Sequence, residues 1–268
     1  MNIFKKAIKY LKFISNLLGF DHDAFFAFVK NFPSYLSDYK ELKKQMQDSN
    51  DFQRIIIYPI LHEKNVESGV MKGNYFHQDL LVARKIFENN PERHLDIGSR
   101  IDGFVAHVAS FRKIDIMDIR PQNSVVKNMT FYQSDLTQFT EDFKACSDSI
   151  SSLHAIEHFG LGRYGDRIDL NGHVKALNNI HLMLKPKGRF YFSVPIGDQR
   201  IEFNGQRVFS LTYLISILSG NFTIDNFNYV DEKGNLFENA ILTPQSIETN
   251  FNCNYYGCGI FELTKINH

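Results

Sequence analysis

The chain has 268 residues, room for one α/β domain with an added segment or for two small domains. Lysine plus arginine and aspartate plus glutamate both number 30, so no global charge argues for a nucleic-acid partner. Hydrophobic residues make up 43%, with 25 Phe and 12 Tyr to fill a core, and no apolar run is long enough for a membrane span. Cys146, Cys253 and Cys258 make neither a disulfide framework nor a zinc-ligand spacing. They read as reduced thiols of a cytoplasmic protein, with no metal expected and no cleavable signal pattern. Nothing in the sequence sets the oligomeric state.

Residues 1–20 read as an amphipathic helix. Ile3, Phe4, Ala7, Ile8, Leu11, Ile14, Leu17 and Leu18 recur at helical spacing, and Lys5, Lys6, Lys9 and Lys12 lie largely off that stripe. Such a stripe usually packs on its own domain or a partner subunit. The alternative is a peripheral contact with an anionic membrane surface, here the inner face. Residues 21–50 continue helical, with Pro33 as a break and Asp48-Ser49-Asn50-Asp51 as a linker. We therefore divide the chain into an N-terminal helical segment, 1–50, and an α/β domain, 51–268.

Arg54 to Leu61 is a β-branched run in which Pro59 argues against a central strand. Gly73, with Tyr75, His77 and Gln78, reads either as a lid or as the ordinary approach to a helix over 80–89. The organising stretch follows at 94–104. Asp96 sits between apolar residues, Gly98 opens a turn, and Phe104 to Phe111 reads as a helix. Strand, glycine turn and helix form the opening unit of a nucleotide-type fold. Gly98 lets a ligand lie against the backbone, and the helix start offers free N–H groups. There is no G-x-G-x-x-G and no G-x-x-x-x-G-K-S/T, so a pyrophosphate or triphosphate lacks its usual cradle. A nucleoside with a small charged tail fits better.

Strand 114–118 ends in Asp118, placed for ribose hydroxyls. Strand 129–133 leads to Asp135, which could meet a purine amine or cap the next turn. Strand 148–153 is unusually polar. Helix 174–184 ends at Lys185-Pro186-Lys187-Gly188, strand 189–194 follows, and two further strands are expected over 222–230 and 257–265. Alternating β and α units over 93–195 predict a mostly parallel, Rossmann-like sheet with helices on both faces.

Asp96-Ile97-Gly98-Ser99, Asp118, Asp135, the Leu153-His154-Ala155-Ile156-Glu157-His158 block and Leu184-Lys185-Pro186-Lys187-Gly188 together resemble the class I S-adenosylmethionine-dependent methyltransferases. The block Glu157-His158-Phe159-Gly160-Leu161-Gly162-Arg163-Tyr164-Gly165-Asp166 looks like that of an uncharacterised, bacterial-type domain family grouped with them. The resemblance implies S-adenosylmethionine as cofactor. It puts Asp96, Gly98 and Ser99 at the methionine part, Asp118 and Ile119 at the ribose, and Asp135 and Leu136 near the adenine, with Leu153 beside them. At the glycine turn Ser99-Arg100-Ile101-Asp102 replaces the family's denser glycines.

The chemistry is expected in 154–173, which starts at a strand's carboxyl end. His158, or His154 with Glu157, is the candidate base for removing an acceptor proton. Glu157 and His158 could equally pin the loop. Arg163, Tyr164 and Asp166 read as acceptor-binding residues, with Arg207 and the segment carrying Tyr75, His77 and Gln78 beside them. The expected activity is O-methylation of a polar small molecule or glycan, as in polysaccharide biosynthesis. The alternatives are a non-catalytic binding module on the same fold, or a nucleotide-sugar or NAD-linked enzyme.

Overall fold

The computed structural model describes residues 15, 18–48, 51–64 and 67–267. The helix expected over 1–20 lies almost wholly outside the described residues. The chain separates into two compact units, Met1–Val70 and Met71–His268.

In the first unit, helix α1 spans His22–Gln45. Asp21 caps it by accepting from Ala24 N–H at 2.9 Å, and Lys43 and Lys44 suit the negative end of its dipole. Pro33, expected as a break, lies inside this helix. Its missing N–H leaves one carbonyl a turn earlier without its helical donor, and the remaining turns carry the helix through. Residues 51–64 contain no strand, and they belong to this unit rather than to the α/β domain. Asn31 Nδ2 donates to Leu61 O at 2.6 Å, and Lys64 Nζ reaches Asp38 at 3.0 Å. Among the described residues, no helix is long and apolar enough to cross a membrane.

The second unit begins with helix α2, Asn74–Asn89, and strand β1, His94–Ile97. The glycine turn and a wide helical turn, Ile101–Val105, lead into α3, Ala106–Ala109. Next come β2, Ile114–Asp118, β3, Met129–Gln133, and β4, Ser147–Leu153. Helix α4, Gly172–Met183, is followed by β5, Leu184–Ile196. A small hairpin, β6 at Arg200–Glu202 and β7 at Gln206–Val208, precedes α5, Leu211–Leu218. The chain ends through β8, Phe222–Val230, β9, Leu236–Phe237, α6, Pro244–Glu248, and β10, Gly257–Lys265. The β6–β7 hairpin, α5, β9 and α6 have no counterpart among the elements expected from the sequence, and α2 begins at Asn74, ahead of the expected Leu80. Gly73, with φ +90°, opens that helix at Asn74, so Tyr75, His77 and Gln78 sit on its first turns and form no lid loop.

The main sheet has the order β3-β2-β1-β4-β5-β10-β8-β9. β1 pairs in parallel with both β2 and β4, and β2–β3 and β4–β5 are parallel too. β10 runs antiparallel between β5 and β8. The chain moves outward from β1 to β3, then returns to lay β4 on the other side of β1. That reversal opens a crevice beyond the carboxyl ends of β1 and β4.

Side chains alternate across β5. Phe190, Phe192, Val194 and Ile196 enter a core shared with α4 and α5, while Tyr191 joins the opposite core with α2 and α3. The polarity of β4 is explained by its neighbour. Ser149 and Ser151 hydroxyls bond the two ring nitrogens of buried His94, at 2.8 and 3.1 Å. Burial holds His94 neutral, with its pKa pushed down to about 3, and burial lowers His173 to about 4. Unfolded histidine takes up a proton near 6.5, whereas folded His94 does so only near 3. Stability should therefore fall as acid is added below pH 6.5, by roughly 3 kcal/mol at pH 4 from His94 alone. Urea unfolding measured across that range should show the slope, and His94→Asn should flatten it. An unchanged slope would put the acid sensitivity elsewhere.

Candidate functional site

The glycine turn is built from β1 outward. Asp96 is fully buried, and its carboxylate accepts from Ser99 N–H at 3.1 Å, Ser99 Oγ at 2.6 Å and Ser151 Oγ at 2.6 Å. Ser99 Oγ in turn accepts from Leu153 N–H at 3.0 Å, tying the turn to the end of β4. Asp96 therefore holds the turn and does not line the cleft, contrary to its assignment as a cofactor contact. Burial raises its pKa to about 6, against the pull of the two serines. Gly98 has φ +68°, and a Cβ there would stand 2.9 Å from Ala155 Cβ. Glycine is thus needed both for its backbone conformation and for the closeness of the loop after β4.

Two connected cavities lie over this turn, with about 570 and 1180 Å³ of empty space open in part to solvent. The inner one has an apolar floor of Ile97, Met117, Leu136 and Phe159, with Asp118, Ile119 and Asp135 on its rim. Asp135 is partly engaged, since its Oδ1 accepts from the N–H and hydroxyl of Thr137 at 2.9 and 2.7 Å. The outer cavity takes in Tyr75, Ser99, Arg100 and Arg163. Gly98, Asp118, Arg120, His154, His158 and Tyr164 border both. Leu153 is buried behind the cleft, as are Gln78 and, more loosely, His77 on α2. Gln78 accepts from Ser193 Oγ at 2.6 Å and donates to Asp79 at 3.2 Å, so it braces α2 against β5.

The two histidines differ in what their nitrogens can still do. His154 Nδ1 bonds Glu157 Oε1 at 2.8 Å, and its Nε2 meets Cys258 Sγ at 3.3 Å. Burial pushes its pKa down, but Cys258 and Glu157 outweigh burial and hold it well above the ordinary value. His154 has no free nitrogen for an acceptor proton, so it positions Glu157 instead of acting as the base. His158 Nδ1–H donates to Gly205 O at 2.7 Å, which leaves its Nε2 lone pair free. Burial lowers the His158 pKa, so the ring is neutral near pH 7. Glu157 Oε1 lies 3.8 Å from His158 Nε2, and Glu157 Oε2 is buried without a partner.

The loop after β4 is pinned from inside. Arg207 is buried. It donates to the carbonyls of Glu157 and Phe159 at 3.2 and 2.6 Å, and to those of Asp169 and Leu170 at 3.3 and 3.1 Å. Its expected place among the acceptor-binding residues is corrected accordingly: its guanidinium holds the loop. Asp166 is engaged in the same way, accepting from the N–H groups of Gly160, Gly162 and Tyr164 at 2.7, 3.3 and 3.2 Å. A Cβ on Gly160 would stand 2.0 Å from Asp169 O, so the loop closes on itself there. Arg163 and Tyr164 remain at the cleft. Arg120 was missed in the sequence, although its place two residues after Asp118 was the available signal. It chelates that acid, with Nε and Nη2 at 3.0 and 2.7 Å from the two oxygens.

Residues 107–253 match a family described as Caenorhabditis protein of unknown function, DUF268. The chain belongs to this family. The matched span of this DUF268 member runs from α3 through β4 and the pinned loop to Cys253. No curated protein matches the chain. Among solved structures, it resembles the Burkholderia thailandensis 1,6-didemethyltoxoflavin-N1-methyltransferase, crystallised with 1,6-didemethyltoxoflavin and S-adenosylhomocysteine. That likeness has a TM-score of 0.51 at 15% identity and covers 71% of this chain and 79% of that one. It also resembles the [4+2]-cyclase SpnF, with a TM-score of 0.50 at 13% identity, over 72% of this chain and 82% of the other. The likeness is one of fold: the α/β unit of this DUF268 protein has the class I methyltransferase fold.

Arg207→Met should leave four loop carbonyls without their donor and cost about 2–4 kcal/mol of stability. Thermal melting should register this as a large drop in Tm. A normal Tm with weakened acceptor binding would return Arg207 to the cleft.

Proposed function

We propose that this protein is an S-adenosylmethionine-dependent O-methyltransferase acting on a hydroxyl of a polar small molecule or glycan. The observation that carries the reading is the meeting, in one cleft, of a nucleoside-shaped hollow and a histidine with one committed and one free nitrogen. Gly98 presents bare backbone at the border of both cavities, Asp118 stands where a vicinal diol would lie, and the apolar floor suits a flat base beside Asp135. The residues present therefore fit the nucleoside part of the cofactor. The methyltransferase crystallised with S-adenosylhomocysteine shares this fold, which supports the same reading.

When bound, the cofactor supplies an electrophilic methyl group. The protein's task is to hold an acceptor oxygen in line with that methyl and to take up the acceptor's proton. His158 Nε2 receives the proton. Its Nδ1–H, fixed on Gly205 O, sets the tautomer, and the Glu157 carboxylate stabilises the imidazolium that forms. His154 holds Glu157 in place. Gln122 and Gln206 at the outer cavity supply polar contacts suited to a hydroxyl-rich acceptor.

Asp118→Ala should weaken S-adenosylhomocysteine binding by about 1–3 kcal/mol, the scale of hydrogen bonds to a charged group. Isothermal calorimetry measures it, and unchanged affinity in a folded variant would remove Asp118 from the site.

The base must be unprotonated to act, and the His158 pKa lies below its ordinary value. Methyl transfer from labelled donor to a panel of polyhydroxy acceptors should therefore hold its kcat/KM as pH falls to 6.5. The loss should come below that, as pH drops through the depressed His158 pKa. His158→Gln should remove this limb together with most of the rate. A limb centred above 6.5, or one that survives the substitution, would point to another base.

A further inference from the structure

Arg120 stands between Asp118 and the pinned loop. Its backbone N–H and Nε reach Asp118 Oδ1 at 2.8 and 3.0 Å, and its Nη2 reaches Oδ2 at 2.7 Å. Its guanidinium carbon lies 4.4 Å from the centroid of the Tyr164 ring, and the Arg163 guanidinium lies 5.2 Å from the same ring. Two cations thus share one aromatic face residue at the border of both cavities. Arg163 donates to Gly205 O at 3.2 Å and has no carboxylate partner among the described residues. Arg100, the third arginine of the outer cavity, is chelated by Asp102.

The chelate matters because a bidentate partner occupies the two syn lone pairs of a carboxylate, and only one such partner fits there. A forked guanidinium and a vicinal diol both use the pair. Binding of a ribose at Asp118 therefore displaces the Arg120 side chain. Once displaced, Arg120 has lost its neutralising partner, while Arg163 packs on the same Tyr164 ring. Two unpaired guanidinium forks beside a site that also holds a sulfonium repel one another unless an anion comes between them. Planar forks beside an aromatic ring are suited to a carboxylate or phosphate.

We propose that the acceptor carries an anionic oxyacid group, a carboxylate or a phosphate, gripped by Arg163 and Arg120, and that Arg120 becomes available only after the nucleoside takes over Asp118. This rests on the cofactor reading above and adds the substrate's charge and the order of binding. Cofactor comes first and anionic acceptor second, with each tightening the other, since the coupling between two sites is reciprocal.

The test is calorimetry on the full chain with S-adenosylhomocysteine, inorganic phosphate and glucuronate. Phosphate or glucuronate should bind the protein–S-adenosylhomocysteine complex at least about two- to fivefold more tightly than the free protein, the worth of an exposed ion pair. The arm that shows the gain identifies phosphate or carboxylate as the group. Arg120→Gln should bind S-adenosylhomocysteine more tightly than wild type by a similar factor, because there is no chelate to displace, and should lose the coupling. Arg120→Lys, which cannot span both oxygens, should shift in the same direction. Arg163→Gln should weaken the anion in the binary complex. Equal anion affinity with and without S-adenosylhomocysteine, or weaker S-adenosylhomocysteine binding in both Arg120 variants, overturns the proposal and leaves the cofactor reading standing. A wild-type protein that does not bind S-adenosylhomocysteine overturns both.

Discussion

The structure depends on one buried carboxylate. Asp96 has no contact with water, and burial alone pushes its pKa toward neutrality. A charge in that position is tolerable only when its lone pairs are met, and three donors from Ser99 and Ser151 meet them. Those bonds fold the chain back at Gly98 and fix β1 against β4. The hydroxyl of Ser99 then takes the N–H of Leu153, just past Ser151 where the β1–β4 pairing ends. The floor of the cleft, the entry angle of the loop after β4 and the place of His158 all follow from this seam.

The polar seam also shows where a one-dimensional reading loses information. The glycine turn, Asp118 and Asp135 were legible because each follows a short apolar run at a βα spacing. The parallel order was legible because β and α patterns alternate. The serines of β4 looked out of place for a buried strand, since their partners His94 and Asp96 lie more than fifty residues away, in register across the sheet. Arg207 was assigned to a ligand because a cation on a loop usually faces solvent. Nothing local reveals that four carbonyls of another loop surround it. Gly73 left Tyr75 and Gln78 open to two readings, a lid or the approach to a helix, and its positive φ at the helix start decides for the second.

The loop after β4 carries most of the candidate chemistry and is rigid for reasons that have little to do with chemistry. Gly160, Gly162 and Gly165 all take positive φ, which lets the backbone N–H groups turn inward on Asp166. Arg207 gathers the carbonyls on the other side. A segment so tightly internally bonded keeps its side chains at fixed positions without a regular helix. His158 gains from this, because its Nδ1–H can be committed to a carbonyl of the β6–β7 hairpin and its other nitrogen held toward the cleft. The [4+2]-cyclase among the similar structures shows that the fold itself does not dictate the reaction, so such fixed side chains are where a function has to be sought.

The position of β10 bears on how the molecule comes into being. This strand is the last of the sheet in chain order, yet it lies inside the sheet, with β5 on one side and β8 on the other. Until residues 257–265 have been synthesised, β5 keeps an open edge of bulky aromatic residues, and β8 and β9 have no sheet to join. A nascent chain therefore carries a long, sticky, unpaired edge from the completion of β5 at Ile196 until Lys265 has been added. The closing step pairs residues 61 to 75 positions apart, from Ile196 with Gly257 to Arg189 with Thr264, a slow, non-local event. The yield of folded protein in a cell should consequently depend on how well chaperones shield that edge in the interval.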